Sequence, residues 1–146
     1  MSYFTALMFR SAGRWTVEEV DLDEVETLDD LADLMRESAD EDPVLLLVEQ
    51  EGAWFGILRI DADDEPRAVV SDGLAASRSA YGEMLLEAAE VDSHSRGPVG
   101  DAELLDDLGV DREQLLELCA RGTEPGEALN ALAATLDAED QLEAVR

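Results

Sequence analysis

Lysine is absent from this chain: all ten cations are arginine, set against 37 Asp and Glu, and the formal net charge is −27. That imbalance excludes partners held by phosphate contacts, because counterion release rewards proteins that bring cations to nucleic acid or to anionic lipid. No direct nucleic-acid binding and no membrane binding are expected, and a basic protein is the better-matched partner. Cysteine occurs once, at Cys119 in the apolar helical pattern LLELC, so no internal disulfide can form and a buried thiol is the usual outcome. Long apolar runs are missing as well. The longest aliphatic run, VLLLV at residues 44–48, is far too short to span a bilayer, and MSYFTALMFR has no charged region ahead of a long apolar stretch. The expected compartment is the cytoplasm.

What is there suffices for a core, since 46% of the 146 residues are hydrophobic. Residues 3–9 are aromatic and apolar, residues 10–14 form a turn-like cluster and residues 15–20 alternate, which reads as a β-hairpin. Thr27 is a good N-cap with Asp30 three residues on, and Leu28, Leu31, Ala32 and Met35 carry helical spacing, predicting a helix over 28–39. VLLLVEQ, a turn at Glu51 and Gly52, and AWFGILRI predict a second hairpin, apolar enough for a central strand covered on both faces or nearly so. Residues 67–71 supply a further strand, 73–79 a loop or short helical turn, and 80–89 a helix carrying Tyr81, Met84, Leu85 and Ala88. Residues 91–100 have the Ser, Gly and Pro of a linker. Beyond them all signals are helical: a short helix from Asp101 to near Gly109, then helices opened by Asp111 with Gln114, by Thr123 with Pro125, and by Asp137 with Asp140.

The expected fold class is thus α+β: an antiparallel sheet of about five strands over residues 1–90, with two helices on one face, a linker at 91–100, and a small all-helical part over 101–146. That last part is marginal as an independent fold, so it should dock on the sheet or on a partner.

Several stretches carry a resemblance. SYFTALMFR with RWTVEEVD, TLDDLADLMR, PVLLLVEQEGAWFGILRID, VSDGLAASRSAYGEMLL, DLGVDREQLLELC and the closing LEAVR together resemble the actinobacterial tRNA adenosine deaminase-associated protein family over nearly the whole chain. VSDGLAASRSAYGE is the most specific part. The resemblance implies association with the deaminase that makes inosine in tRNA; it brings no catalytic residues. Deaminase chemistry in this chain itself is excluded, because a zinc deaminase needs H-x-E with P-C-x-x-C and the chain has one His and one Cys. His94 lies in the linker with no co-ligand at metal spacing and reads as an exposed histidine. Paired with Cys119 it lacks a third, orienting group, so Cys119 reads as structural. Asp61, Asp63 and Asp64 resemble the start of a calcium loop, but Glu65 and Pro66 follow where the loop needs another ligand and then Gly, which leaves a solvated acidic turn. No metal and no cofactor are expected.

The passage 67–86, RAVVSDGLAASRSAYGEMLL, stands apart because its formal charges cancel. Ser71, Asp72, Ser77, Arg78, Ser79 and Tyr81 fall between a strand and a helix, where polar groups can converge on a partner or ligand. The same residues also suit plain architecture: Ser79 as a helix cap, Asp72 with Gly73 as a turn, and Arg78 as a counter-charge in an acidic field. Function reads first as a noncatalytic accessory protein binding a basic protein partner, which the resemblance implies is the deaminase. The alternative is a small-molecule-binding domain or an enzyme of unknown class with its pocket at residues 71–81, and a weaker one is an acidic mimic of nucleic acid.

Overall fold

The computed structural model describes residues 3–38, 41–50, 52–61, 65–90, 96–120 and 124–145. His94, Asp63, Asp64, Thr123 and the turn residue Glu51 fall outside them. Strands β1 (Tyr3–Ser11) and β2 (Arg14–Glu19) form the first hairpin, closed by Ala12 and Gly13 alone. Both have positive φ, 54° and 79°, the conformation a two-residue turn needs to match the twist of its strands. The turn is tighter than the five-residue cluster in the sequence suggests, because Arg10 stays in the ladder opposite Trp15 and its guanidinium lies 4.9 Å from the centre of that ring.

Helix α1 (Leu28–Ser38) follows, with Thr27 accepting from the Asp30 amide at 3.1 Å as the spacing predicted. Then come β3 (Glu41–Gln50), β4 (Trp54–Ile60) and β5 (Arg67–Val70). The sheet runs β2-β1-β3-β4-β5-β6, antiparallel throughout. The sixth strand, β6 (Val99–Gly100), was not anticipated: it lies in the linker-like stretch and is two residues long, below what any pattern can reveal. Gly100 has φ 109° and lies so close to the Ala68 carbonyl that a side chain there would overlap it.

Both faces of the sheet are covered, one by the two N-terminal helices expected there and the other by the C-terminal helices. Alternation along each strand sends Leu7, Leu46, Val48, Leu58 and Val70 into one core with α1, α2 (Gly73–Ala76) and α3 (Ala80–Ala88). The neighbouring positions Met8, Leu45, Leu47, Ile57 and Val69 form a second core with α4 (Arg112–Leu118), α5 (Pro125–Thr135) and α6 (Glu139–Val145). The C-terminal helices therefore dock on the sheet. Leu115, Leu129, Leu132 and Leu142 are all at most 1% exposed, so each contributes about 1.5–3 kcal/mol to that docking.

At one end of this second face Arg59, 4% exposed, sits on β4 in register with Arg67 on β5. Its Nη1 donates to the Leu104 carbonyl at 2.7 Å, its two Nη atoms hold both oxygens of Asp107 at 2.6 and 2.8 Å, and its Nε reaches Asp61 at 3.1 Å. Asp61 also accepts from Arg67 at 3.1 Å, which gives it an arginine-bound role within the turn that resembled a calcium loop. Asp101 opens no regular helix: residues 102–105 are turns leading into a short 3₁₀ segment (Asp106–Leu108), closed by Gly109 at φ 99°.

The hydrogen bond from Arg59 holds the Asp107 carboxyl below its ordinary range. Its proton is therefore bound more weakly in the folded than in the unfolded chain, so the bond stabilises at neutral pH and its contribution is lost as pH falls below about 4. Arg59→Met should cost about 2–3 kcal/mol in urea unfolding at pH 7. The stability gap between wild type and Asp107→Asn should be present at pH 7 and should shrink toward zero in acid. A gap independent of pH would rule out the ionic contribution.

Candidate functional site

Ser71 follows β5 directly and is buried; its amide donates to the Phe55 carbonyl at 2.8 Å and its Oγ accepts from the Phe55 amide at 2.9 Å. It continues the sheet pairing with its own side chain. Asp72 caps the four-residue helix α2, accepting from the Leu74 and Ala75 amides at 3.1 and 3.2 Å. Ser77 donates to the Leu74 carbonyl at 2.7 Å where that helix ends. Ser79 caps α3, accepting from the Gly82 amide at 3.4 Å, and its buried Oγ also receives the hydroxyl of Tyr3 at 2.8 Å. Arg78 is exposed and makes no ion pair with any described residue.

The six residues are not gathered around one pocket. Ser71 and Asp72 line a cleft of about 280 Å³ with Phe55, Cys119 and Glu124, between the sheet and the C-terminal helices. Tyr81 lines a different cleft of about 440 Å³, with Tyr3, Glu19, Asp21 and Asp23. Ser77 and Arg78 line neither. Of the hydroxyls, those of Ser71, Ser77 and Ser79 are engaged with backbone or with Tyr3, so the passage offers no base beside a nucleophile. Among the described residues no group of three His, Cys, Asp or Glu side chains is disposed to hold a metal ion, and no helix is long and apolar enough to cross a membrane.

What the passage does instead is bring two short helices into contact. A side chain at Gly82 would overlap the backbone carbonyl of Ala76, so α3 can cross the end of α2 only with hydrogen at that position. Ala76 is fully buried there, and Leu85 and Leu86 continue into the sheet.

A family model described as Rv3753c-like tRNA adenosine deaminase-associated protein matches residues 3–139. The chain belongs to that family. No curated protein and no solved structure shows significant similarity to it. The match takes in all six strands and the first five helices of this member of the deaminase-associated family, so the sheet with helices on both faces falls within the matched span.

Sequence reading missed Tyr3 as a companion of Tyr81. The chain has two tyrosines, and their rings meet edge to face with centroids 5.1 Å apart. The signal available was only that Tyr3 opens a strand, which says nothing about a contact 78 residues away in sequence. Burial, followed by the fields of Asp23 and Asp21, raises the Tyr81 hydroxyl above its ordinary pKa. Burial also pushes the Cys119 thiol up to about 11.

Gly82→Ala should destabilise the protein by about 1–3 kcal/mol in urea unfolding, whereas Glu83→Ala on the exposed side of the same helix should change it by less than about 0.5 kcal/mol. Equal effects would remove the steric reading. At pH 8 a thiol with that pKa is ionised to roughly one part in a thousand. Iodoacetamide should therefore label native Cys119 at least about 100-fold more slowly than the urea-unfolded chain. Comparable rates would mean that the end of α4 opens readily.

Proposed function

We propose that this protein is a noncatalytic accessory partner of a basic protein, the tRNA adenosine deaminase for which its family is named, and that it acts in the cytoplasm. The observation that carries this reading is family membership across residues 3–139. The charge supports it. At −27 the chain attracts a cationic surface over a Debye length of about 8 Å at physiological salt, which raises the rate of encounter more than the final affinity. The same charge opposes direct contact with tRNA, so the protein would meet the enzyme rather than its substrate.

The small-molecule reading has less behind it, because Ser71 and Asp72 face one cleft, Tyr81 another, and the serine hydroxyls are used in local architecture. In the accessory reading the exposed Arg78 and the half-buried Tyr81 belong to the contact surface, with Ser71, Asp72, Ser77 and Ser79 holding the loop that presents them.

The purified protein should co-elute with the cognate deaminase on size exclusion at moderate salt, and the complex should weaken as salt rises. Tyr81→Ala should weaken it further. Absence of co-elution even at low salt, with both proteins folded, would overturn the proposal.

A further inference from the structure

The cleft beside Tyr81 is built from parts that suit one kind of occupant. Its floor comes from β1, where Tyr3 begins the strand, and its wall from the chain leaving β2. Thr5 holds that chain in place: its Oγ1 donates to the Val20 carbonyl at 2.5 Å and its carbonyl accepts from the Val20 amide at 3.1 Å. Leu22, 3% exposed, then anchors the following residues in the core, leaving Asp21 and Asp23 on either side of it at the surface. The Asp21 side chain accepts from the Asp23 amide at 2.9 Å, which holds the Asp21 carboxylate against the backbone of Asp23. Across from them stand the two tyrosines. Tyr3 is held by its hydrogen bond to Ser79, and at 37% it is the large hydrophobic residue left exposed among the described residues. Glu19 completes the rim, and no cation lines the cleft.

Aromatic faces next to carboxylates with no compensating cation form a setting for a positively charged group. A cation gains from the ring quadrupole and from the carboxylates together, while its alkyl stem covers ring surface. A neutral or anionic ligand would gain little here, and an anion would be repelled by three carboxylates. Arginine suits the site better than lysine, because its planar, weakly hydrated guanidinium stacks on a ring and bonds carboxylate oxygens in its own plane.

We propose that the Tyr3–Tyr81 cleft, rimmed by Glu19, Asp21 and Asp23, receives an arginine side chain of the basic protein partner. The inference rests on the accessory reading for the identity of that partner, and on the cleft alone for its chemistry. It gives the long-range attraction of the acidic surface a specific end point: the general field brings the partner close, and the cleft seats one of its cations.

The test separates the two levels. The full chain is titrated with the capped peptide Gly-Arg-Gly and with the same peptide carrying neutral citrulline, and the aromatic resonances of Tyr3 and Tyr81 are followed by NMR. The arginine peptide should move both rings and the citrulline peptide neither. The Asp21→Asn/Asp23→Asn double variant, altered only at the surface, should weaken the arginine peptide by about fivefold or more, and Tyr81→Leu should do the same. Equal shifts with citrulline, unmoved tyrosine rings, or an unchanged affinity in the double variant would each overturn the cleft. Binding of the deaminase is then compared between wild type and the double variant. If wild type binds and the variant binds as tightly, the cleft is wrong while the accessory reading stands. If the arginine peptide binds the cleft but the deaminase does not bind wild type, the cleft stands and the partner's identity falls.

Discussion

The buried guanidinium of Arg59 is the point on which the C-terminal half hangs. A cation at the centre strand of a sheet would be costly to desolvate alone, and it is tolerated here because two carboxylates and a carbonyl take up its donors. The acceptors come from two parts of the chain: Asp61 from the end of β4, Leu104 and Asp107 from the turns that lead into the helical region. The turns at 104–107 cannot leave the sheet without removing two of its acceptors. Apolar packing through Leu115, Leu129, Leu132 and Leu142 supplies the larger share of the docking energy, and the arginine fixes where along the sheet the helices sit. In a protein with 37 acidic side chains and ten basic ones, carboxylates to surround a buried arginine are abundant. The scarce partner is the cation, and this one is used internally.

The remaining charge has consequences for the surface. Arg67 is drawn into the same network with Asp61 and Asp101, and Arg10 lies over Trp15, so part of the small cationic complement is committed to local contacts. The carboxylates left over are spread around the molecule. Such a surface attracts any cation weakly and none in particular. Selectivity has to come from places where shape and chemistry are added to the field, which is why two tyrosine rings beside Asp21 and Asp23 carry more meaning than the many other exposed acidic residues.

How much of this was legible follows from the range of each signal. Local signals survived well: the two hairpins, the Thr27 and Ser79 caps, the capping box of Asp111 with Gln114, and Pro125 at the start of its helix are all present. Signals that depend on distant partners did not survive. The two-residue β6 exists because β5 offers an open edge, and the covering of both sheet faces depends on where the last helices return, which their own periodicity cannot state. The six residues singled out in the neutral passage are close in sequence but divided between two sides of the structure. A short helix between Ser71 and Ser79 turns the chain enough that Asp72 faces the C-terminal helices and Tyr81 faces the start of β1.

The specificity of that passage then has a steric explanation. Asp72 must cap, Ala76 must be small, Ser79 must accept both from its helix and from Tyr3, and position 82 must lack a side chain. None of these requirements involves a reacting atom, and together they account for four of the twelve residues of SDGLAASRSAYG. A neutral, Ser-rich passage between a strand and a helix is often taken as the mark of an active site. Here packing two short helices against a sheet accounts for it, and the residue it delivers to the surface is Tyr81, held against Tyr3 at the edge of an acidic cleft. The packing of the passage therefore positions one aromatic ring, and that ring's value lies in what it can contact.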